Sequence, residues 1–275
     1  MAARPDLTIL PGGAVAPLRF RRLGRLGDLD LDLAAADRPR VVTAVLSACA
    51  VPAQEVGTIW ALTLAARIGG LLAVWSSGTG AEALDLRLRC PMAGCGADLE
   101  AGLPVEALMA LARDAEAVAV LDEGADGGAL RRPTGTDQRR WREVPADDPE
   151  GVILASLVLR GPVPADAGAR EALADRLAAF DPLSCFAVTV HCPDCGTEST
   201  HPVDLEAELL ARLARMQDRL FAEVDVLARR YGWSDEAILS MPPRRRARYL
   251  QMDAAGEGLS LIHISEPTRR TPNSY

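Results

Sequence analysis

The chain has 275 residues and a formal net charge of −8, with 49% apolar and 25% charged residues. That length and composition are typical of a globular protein with one large or two small domains, and they exclude a mainly disordered chain. The acidic balance argues against a general nucleic-acid-binding protein, because such proteins carry a basic surface.

The N-terminal segment MAARPDLTILPGG lacks the basic start and apolar core of a secretory signal. We therefore expect a cytoplasmic protein, in which six cysteines fit reduced thiols and a metal better than disulfides. The absence of Lys and the abundance of Ala suggest a GC-rich bacterial genome. The most apolar stretch, Ile59 to Trp75, is short for a membrane span and carries Arg67 near its centre. We predict that it is a buried helix running into a strand, and that the protein does not cross a membrane.

In chain order, residues 1–121 form the first predicted half, with helices expected over Pro39–Ala50 and Thr58–Leu72. Residues 122–148 are rich in Gly and charged side chains, which predicts a linker. The segment RRPTGTDQRRW (131–141) lies within this linker, and its arginines are interpreted as a solvated face.

A β-hairpin with two thiols at its tip is predicted near the end of the first half. Apolar side chains alternate with charged ones at Leu84, Leu86 and Leu88, which indicates a strand with one buried face. The turn RCPMAGCG follows and contains Cys90 and Cys95, and the segment ADLEAGL then returns as the second strand.

The second half, residues 149–202, repeats this pattern. Residues 86–112 align with residues 188–214, and both read as strand, thiol turn, strand and helix. Upstream, the run Pro39–Ala50 roughly matches Pro149–Arg160. The fold class predicted is therefore α+β, with two related halves that each carry helices and a zinc-knuckle hairpin, followed by a C-terminal helical extension.

The four thiols of the two turns predict a structural zinc site. Cys192 and Cys195 have the spacing of a zinc knuckle, and Cys90 and Cys95 lie at the upper edge of the spacing that zinc sites use. Together they form one tetrathiolate set, which leaves no open position for water or substrate. Two buried thiol pairs, a disulfide, or two separate half-sites are the alternatives.

Other candidates near the site carry less weight. His191 and His201 flank the second turn and are alternative ligands, although a surface or supporting role is commoner for such histidines. Cys49 and Cys185 lie in apolar runs, which predicts buried, unreactive thiols. No Ser/His/Asp set is apparent, so we expect neither an enzyme nor a small-molecule substrate.

Residues 203–258 are predicted to be helical throughout. Apolar residues recur every three or four positions over Leu205–Tyr231, which predicts one helix of some 27 residues. Gly232 should end it, and Ser234 should cap a short helix. A final helix over Arg244–Met252 carries four arginines.

Residues 259–275 differ in composition from the preceding chain, which is rich in Ala and Arg. The segment LSLIHISEPTR (259–269) is similar to the translation of a common transposon-end sequencing adapter. We interpret residues 259–275 as an artefact of sequence assembly and exclude this segment from the prediction of the fold.

The C-terminal segment EVDVLARRYGWSDEAILSMPPRRRARYL (223–250) resembles the C-terminal signature of a phage family: baseplate hub subunits and hub assembly chaperones of T-even-type phages and phage-derived contractile injection systems. The matching positions are Glu223, Leu227, Ala228, Tyr231, Gly232, Trp233, Ser234, Ile238, Leu239, Arg245, Arg246, Tyr249 and Leu250. The family's CPxCG knuckle is matched by residues 192–196, and RPTGTD (132–137) is similar to its RPLTG-type segment.

This resemblance implies a non-enzymatic baseplate component or assembly chaperone whose partners are other baseplate or tail proteins, either free in the cytoplasm or incorporated into a tail-like particle. The residues expected to bind a partner are Tyr231, Trp233, Arg244, Arg245, Arg246, Arg248 and Tyr249. The alternative is a zinc-ribbon DNA-binding regulator, in which the arginines of the last helix contact phosphates.

Overall fold

A computed structural model describes residues 8–9, 18–113, 118–120, 129–144, 147–163 and 166–256, and the segment 259–275 lies outside them. The strands are β1 (Thr8–Ile9), β2 (Leu18–Phe20), β3 (Ala50–Val51), β4 (Ala83–Arg89), β5 (Asp98–Pro104), β6 (Val118–Val120), β7 (Ala129–Arg131), β8 (Val158–Arg160), β9 (Ala187–His191) and β10 (Glu198–Pro202). The α-helices are α1 (Arg38–Cys49), α2 (Val56–Ala61), α3 (Leu64–Thr79), α4 (Val105–Arg113), α5 (Gly135–Trp141), α6 (Pro149–Leu157), α7 (Ala167–Phe180), α8 (Leu205–Tyr231), α9 (Asp235–Ser240) and α10 (Pro243–Gly256). The protein is thus a mixture of helices and small antiparallel sheets.

The chain divides into two compact units, Met1–Asp218 and Arg219–Tyr275, with the long helix α8 contributing to both. Among the described helices, none combines the length and hydropathy that a bilayer crossing requires.

The strands of the first unit form small antiparallel sheets that occur in pairs. One three-stranded sheet has the order β1-β2-β3 and another the order β6-β7-β8, and both are antiparallel throughout. Two hairpins, β4-β5 and β9-β10, complete the set. The predicted alternation in β4 is confirmed, because Leu84 and Leu86 are buried while Asp85 and Arg87 are exposed.

Each three-stranded sheet is joined to its helix by an Arg–Asp pair. Arg21, directly after β2, donates both Nη atoms to the Asp28 carboxylate at 2.7 Å. Arg131, at the end of β7, donates to Asp137 at 2.5 and 2.8 Å. Arg21 also donates to Ala48 O near the end of α1 at 2.7 Å. In the same way, Arg131 donates to Ser156 O near the end of α6 at 2.8 Å. Each pair therefore ties a strand, a turn and a helix together.

The helix predicted over Thr58–Leu72 is divided into two helices in the structure. The strand predicted to follow it before Trp75 is absent, because that part of the chain is helical. Helix α2 ends at Ala61, and the Thr63 side chain accepts a hydrogen bond from the Ala66 amide to begin α3. Helix α3 then continues to Thr79 and ends at Gly80, whose φ of 70° lies in the left-handed region. The break was missed because Thr63 acts as a cap only when the preceding residues leave helical geometry.

The segment 131–141, predicted to be a solvated part of a linker, packs into the first unit. Arg139 and Arg140 are exposed, as predicted for a solvated face, but Arg132 is buried and Arg131 is partly buried, which corrects the interpretation for these two arginines. Its backbone is tied to the start of α3, because the Leu64 amide donates to Pro133 O at 2.9 Å and the Gly135 amide donates to Leu62 O at 3.1 Å.

The prediction of one long helix over Leu205–Tyr231 is confirmed by α8. Gly232 follows it with φ of 67°, and the Ser234 side chain accepts from the Ala237 amide to cap α9, as predicted. In the first unit the buried Gln217 side chain donates to Asp28 O and to Leu31 O, both at 2.8 Å.

Candidate metal centre

Both thiol turns connect two antiparallel strands and have the same backbone closure. The Cys90 amide donates to Ala97 O and the Cys192 amide donates to Thr197 O, each at 2.9 Å. A glycine follows the second thiol in each turn, with φ of 62° at Gly96 and 70° at the equivalent position of the second turn. A residue with a side chain is strained in that conformation, so glycine lets the chain reverse around the sulfurs.

The two turns bring four sulfurs into one cluster. The Sγ atoms of Cys90 and Cys195 lie 3.7 Å apart, as do those of Cys95 and Cys192. All four atoms lie within 4.8 Å of one another. Four sulfurs at about 2.3 Å from a tetrahedral zinc ion would be separated by about 3.8 Å, so the cluster has the dimensions of a metal site.

Burial differs within each pair of thiols in the same way. The first thiol of each turn is buried, with 4% exposure at Cys90 and 2% at Cys192. The second is more open, since Cys95 is partly buried and Cys195 is exposed. Apolar side chains that include Leu99 pack around the buried sulfurs. Such surroundings limit the access of water to a bound ion.

The thiols of the cluster differ in their pKa values. Hydrogen bonds with the side chain and backbone of Thr197 lower the pKa of Cys195 to about 6. A hydrogen bond from the backbone of Ala97 lowers the pKa of Cys95, but burial and the neighbouring thiols outweigh it and raise that pKa to about 12. Because thiolate is the form that binds metal, Cys195 provides one prepared ligand and the remaining thiols would lose protons to the ion.

The two histidines beside the second turn do not belong to the sulfur cluster. His191 Nε2 lies 3.0 Å from a carboxylate oxygen of Glu198, and His201 Nε2 lies 2.9 Å from Ser199 Oγ. Among the described residues, the only group of potential ligands within metal-binding distance is the four cysteines. The alternative in which a histidine replaces a thiol therefore has no support in this geometry.

The other two cysteines differ from each other. Cys49 is fully buried, and burial raises its pKa to about 12, which agrees with the predicted unreactive thiol. Cys185 was predicted to be buried but is exposed. The prediction was wrong because an apolar run does not fix which of its side chains faces the interior: Leu183, two positions earlier, is buried, while Cys185 faces solvent.

In the second unit, the aromatic residues of the C-terminal segment form a cluster. The rings of Tyr231 and Trp233 stack with centroids 4.5 Å apart, and Tyr249 meets them edge-on at 5.5 and 4.9 Å. All three side chains are partly exposed. The cluster joins the end of α8 to α10 across the short helix between them.

The four arginines of α10 do not share one environment. Arg244, Arg245 and Arg248 are exposed. Arg246 is buried, and its Nε donates to Glu223 Oε2 at 2.9 Å. Of the four predicted partner-binding arginines, three are therefore accessible to a partner, while the fourth joins α10 to α8.

A buried polar centre around Arg67 was not predicted. Its guanidinium donates to Pro39 O at 2.7 Å and to Ile59 O and Thr43 Oγ1 at 3.1 Å. Burial lowers its pKa to about 10, so it stays charged at neutral pH. A Cβ atom at Gly135 would meet this guanidinium at 2.5 Å. The signal in the sequence was a single arginine within an apolar helix, which requires internal acceptors.

The sequence was compared with models of protein families and with curated proteins, and the fold with solved structures. None of the three comparisons found a match to this chain.

Proposed function

We propose that this chain is a non-enzymatic baseplate component or baseplate assembly chaperone of a contractile phage tail or injection system, stabilised by one structural zinc ion. The observation that supports the zinc part of the proposal is the cluster of four thiols, in which Cys90 lies 3.7 Å from Cys195 across 105 positions of the chain, and the baseplate part rests on the resemblance of residues 223–250. Four thiolates fill the coordination of zinc and leave no position for a substrate. The metal would therefore hold the fold together, and contacts with other proteins would come from elsewhere.

Zinc is the proposed metal because its preferences match the cluster. Soft thiolate ligands in a tetrahedral arrangement bind zinc or iron. Zinc has no redox chemistry and imposes no further geometry, so it tolerates two turns of unequal length. Elemental analysis of protein purified without chelator is expected to give about one equivalent of zinc. An iron signal instead would overturn the identity of the metal but not the site.

The repeated architecture supports an origin by internal duplication. Two three-stranded sheets with the same strand order each precede a thiol hairpin. Their Arg–Asp pairs, Arg21 with Asp28 and Arg131 with Asp137, make equivalent hydrogen bonds. Each hairpin contributes one buried and one more open thiol. The proposed zinc ion would then join equivalent parts of two related halves.

The proposed partner surface lies in the second unit. Exposed arginines on α10 adjoin the segment whose aromatic rings form the partly exposed cluster of Tyr231, Trp233 and Tyr249. Arginine, tyrosine and tryptophan are the residue types that most often dominate binding energy at protein interfaces. This composition, together with the resemblance of residues 223–250 to the baseplate family, supports contact with an acidic surface of a tail or baseplate protein.

Co-purification tests this proposal. The tagged chain is expressed with the tail and baseplate proteins encoded beside it, and the recovered complex is identified by mass spectrometry. Replacing Arg244, Arg245 and Arg248 with Glu should abolish recovery of the partner. The matched control reverses three exposed arginines of the first unit, Arg113, Arg140 and Arg215, and should leave recovery unchanged. Equal recovery with both variants, or a free monomer throughout, would contradict the proposal.

The DNA-binding alternative rests on the same exposed arginines. Binding to duplex DNA that weakens steeply with salt, and that is lost with Arg245→Ala, would favour it. The net charge of −8 makes this outcome less expected than a protein partner.

A further inference from the structure

Two sulfur–sulfur contacts in the four-thiol cluster join different hairpins. They link Cys90 to Cys195 and Cys95 to Cys192, each at 3.7 Å, and all four sulfurs lie within 4.8 Å of one another. The two-residue spacing of Cys192 and Cys195 is that of thiols that commonly form a local disulfide within one turn. The fold also places each thiol 3.7 Å from a partner about 100 positions away on the other hairpin.

The two thiols of each 3.7 Å contact differ in their exposure to solvent. Cys195 is exposed, while its neighbour Cys90 is 4% exposed. Cys95 is partly buried, while its neighbour Cys192 is 2% exposed. An oxidant from solvent therefore reaches one thiol of each pair first, and the second thiol, 3.7 Å away, can act as the resolving group.

We propose that hydrogen peroxide converts this site from a zinc tetrathiolate into two disulfides that cross between the hairpins, Cys90–Cys195 and Cys95–Cys192. The inference rests on the proposed zinc site. The two hairpins would remain joined in both chemical states, by the metal when the thiols are reduced and by covalent bonds when they are oxidised. A protein assembled in a reducing cytoplasm and later exposed to oxidising surroundings would thus keep its hairpins together.

The chemical balance of the step is complete. In each pair, peroxide oxidises the open thiolate to a sulfenic acid, and the buried thiolate attacks that sulfur to form the disulfide with loss of hydroxide. For the whole site, four thiolates give up four electrons and form two disulfides. Two hydrogen peroxide molecules accept those electrons and, with four protons, become four water molecules. Zinc leaves as the hydrated ion because a disulfide is a poor ligand.

Tryptic digestion without reduction separates the two pairing patterns. The variant Cys185→Ser removes the exposed bystander thiol and leaves the cluster intact. In this variant the first two cluster thiols lie on the tryptic peptide 90–113, and the last two lie on the peptide 177–212. Disulfides across the hairpins join these peptides into one species, whereas disulfides within each turn leave them apart.

The zinc content is measured first, and zinc release is then followed with a chromogenic chelator while peroxide is added to the full-length variant. The expected result is complete release of zinc, a loss of four hydrogens in mass and a joined peptide pair. Zinc-containing protein whose oxidised peptides stay separate, or whose thiols resist peroxide, overturns the inference and leaves the structural zinc site intact. Zinc-free protein overturns the proposed metal site, and the inference with it.

Two double variants test the pairing itself. In the Cys185→Ser background, Cys95→Ser with Cys192→Ser leaves the proposed partners Cys90 and Cys195, while Cys95→Ser with Cys195→Ser leaves the two buried thiols Cys90 and Cys192. Peroxide should join the peptides of the first variant at least about tenfold faster, because only its pair includes an exposed thiol. Equal rates would overturn the proposed partners.

Discussion

The sulfurs of Cys90 and Cys195 lie 3.7 Å apart, although 105 positions separate the two residues in the chain. Each belongs to a short two-stranded hairpin, and an isolated hairpin is at best marginally stable in water. A metal shared by the two turns would convert two weak local structures into one cross-linked unit.

Cysteine replacement should distinguish the cluster from the other exposed thiol. Cys195→Ser is expected to weaken zinc affinity by more than about 100-fold, because even the loss of a group that only supports a ligand costs about 10–100-fold. Cys185→Ser is the matched control, since its thiol is also exposed but lies outside the cluster. Competition titration with a chromogenic chelator measures both affinities, and equal values would contradict the site.

Metal removal should lower thermal stability. A ligand present at a thousandfold excess over its dissociation constant stabilises the folded state by about 4 kcal/mol. For a folding unit of this size, that corresponds to a fall of roughly 8–16 °C in the unfolding temperature on chelation. Calorimetry with and without chelator measures the shift, and re-addition of zinc should restore the higher temperature. An unchanged unfolding temperature would argue against a metal held by the folded state.

Low pH should weaken the ion pair between Arg131 and Asp137. Burial acts to raise the pKa of Asp137, but hydrogen bonds from Arg131 and Thr134 outweigh it and hold the pKa below its usual value. An acid with a lowered folded pKa contributes stability above its unfolded pKa of about 3.9, and this contribution is lost as pH falls through the folded pKa. Asp137→Asn should therefore cost about 3 kcal/mol at pH 7 and less below about pH 4. Urea unfolding at both pH values measures this, and a constant difference would contradict it.

Gly135 should not tolerate a side chain, because Arg67 occupies the space beside it. Gly135→Ala would place a Cβ atom 2.5 Å from Arg67 Nη1 and 2.7 Å from Cζ, so the buried guanidinium would have to leave its acceptors. We expect a cost of about 1–3 kcal/mol in the free energy of unfolding. Gly57→Ala, in helix α2 with nothing within 4 Å of the added atom, is the control and should be neutral or slightly stabilising. Similar effects of the two substitutions would contradict this account of Gly135.

The arginines of α10 should separate into structural and binding groups. Arg246→Ala removes the buried partner of Glu223 and should cost about 2 kcal/mol in unfolding free energy. Arg245→Ala, its exposed neighbour, should change stability by less than about 0.5 kcal/mol and act only on partner recovery. If Arg246→Ala left stability unchanged, the ion pair with Glu223 would have no structural role.

Several features of the site were predictable because their causes are local. The alternation of Leu84 and Leu86 with charged residues indicated a strand of one buried face. The three- and four-residue intervals along Leu205–Tyr231 indicated helix α8, and Ser234 indicated the next helix start. Helical and strand periodicity and helix caps depend on residues close together in the chain, so they can be predicted from the sequence.

The errors have more than one cause. Arg132 was assigned to a solvated linker, but its guanidinium donates to Phe180 O, 48 positions away. Asp137 accepts from Arg131 and Thr134 of its own segment, and its burial depends on how that segment packs. Cys185 lies in an apolar run, yet it is exposed. Neither the partner of a buried charge nor the cover over an apolar residue is encoded in adjacent positions.

The sequence by itself determined the long helix α8, the two thiol turns and the identity of the four sulfurs, because backbone period and turn chemistry depend on adjacent residues. Only the tertiary structure decided that Cys90 contacts Cys195 of the other hairpin at 3.7 Å. The same is true of Arg246, which the structure places against Glu223 while its neighbours face solvent. Both outcomes depend on how separate elements pack, and packing joins residues whose distance along the chain carries no information about their distance in space.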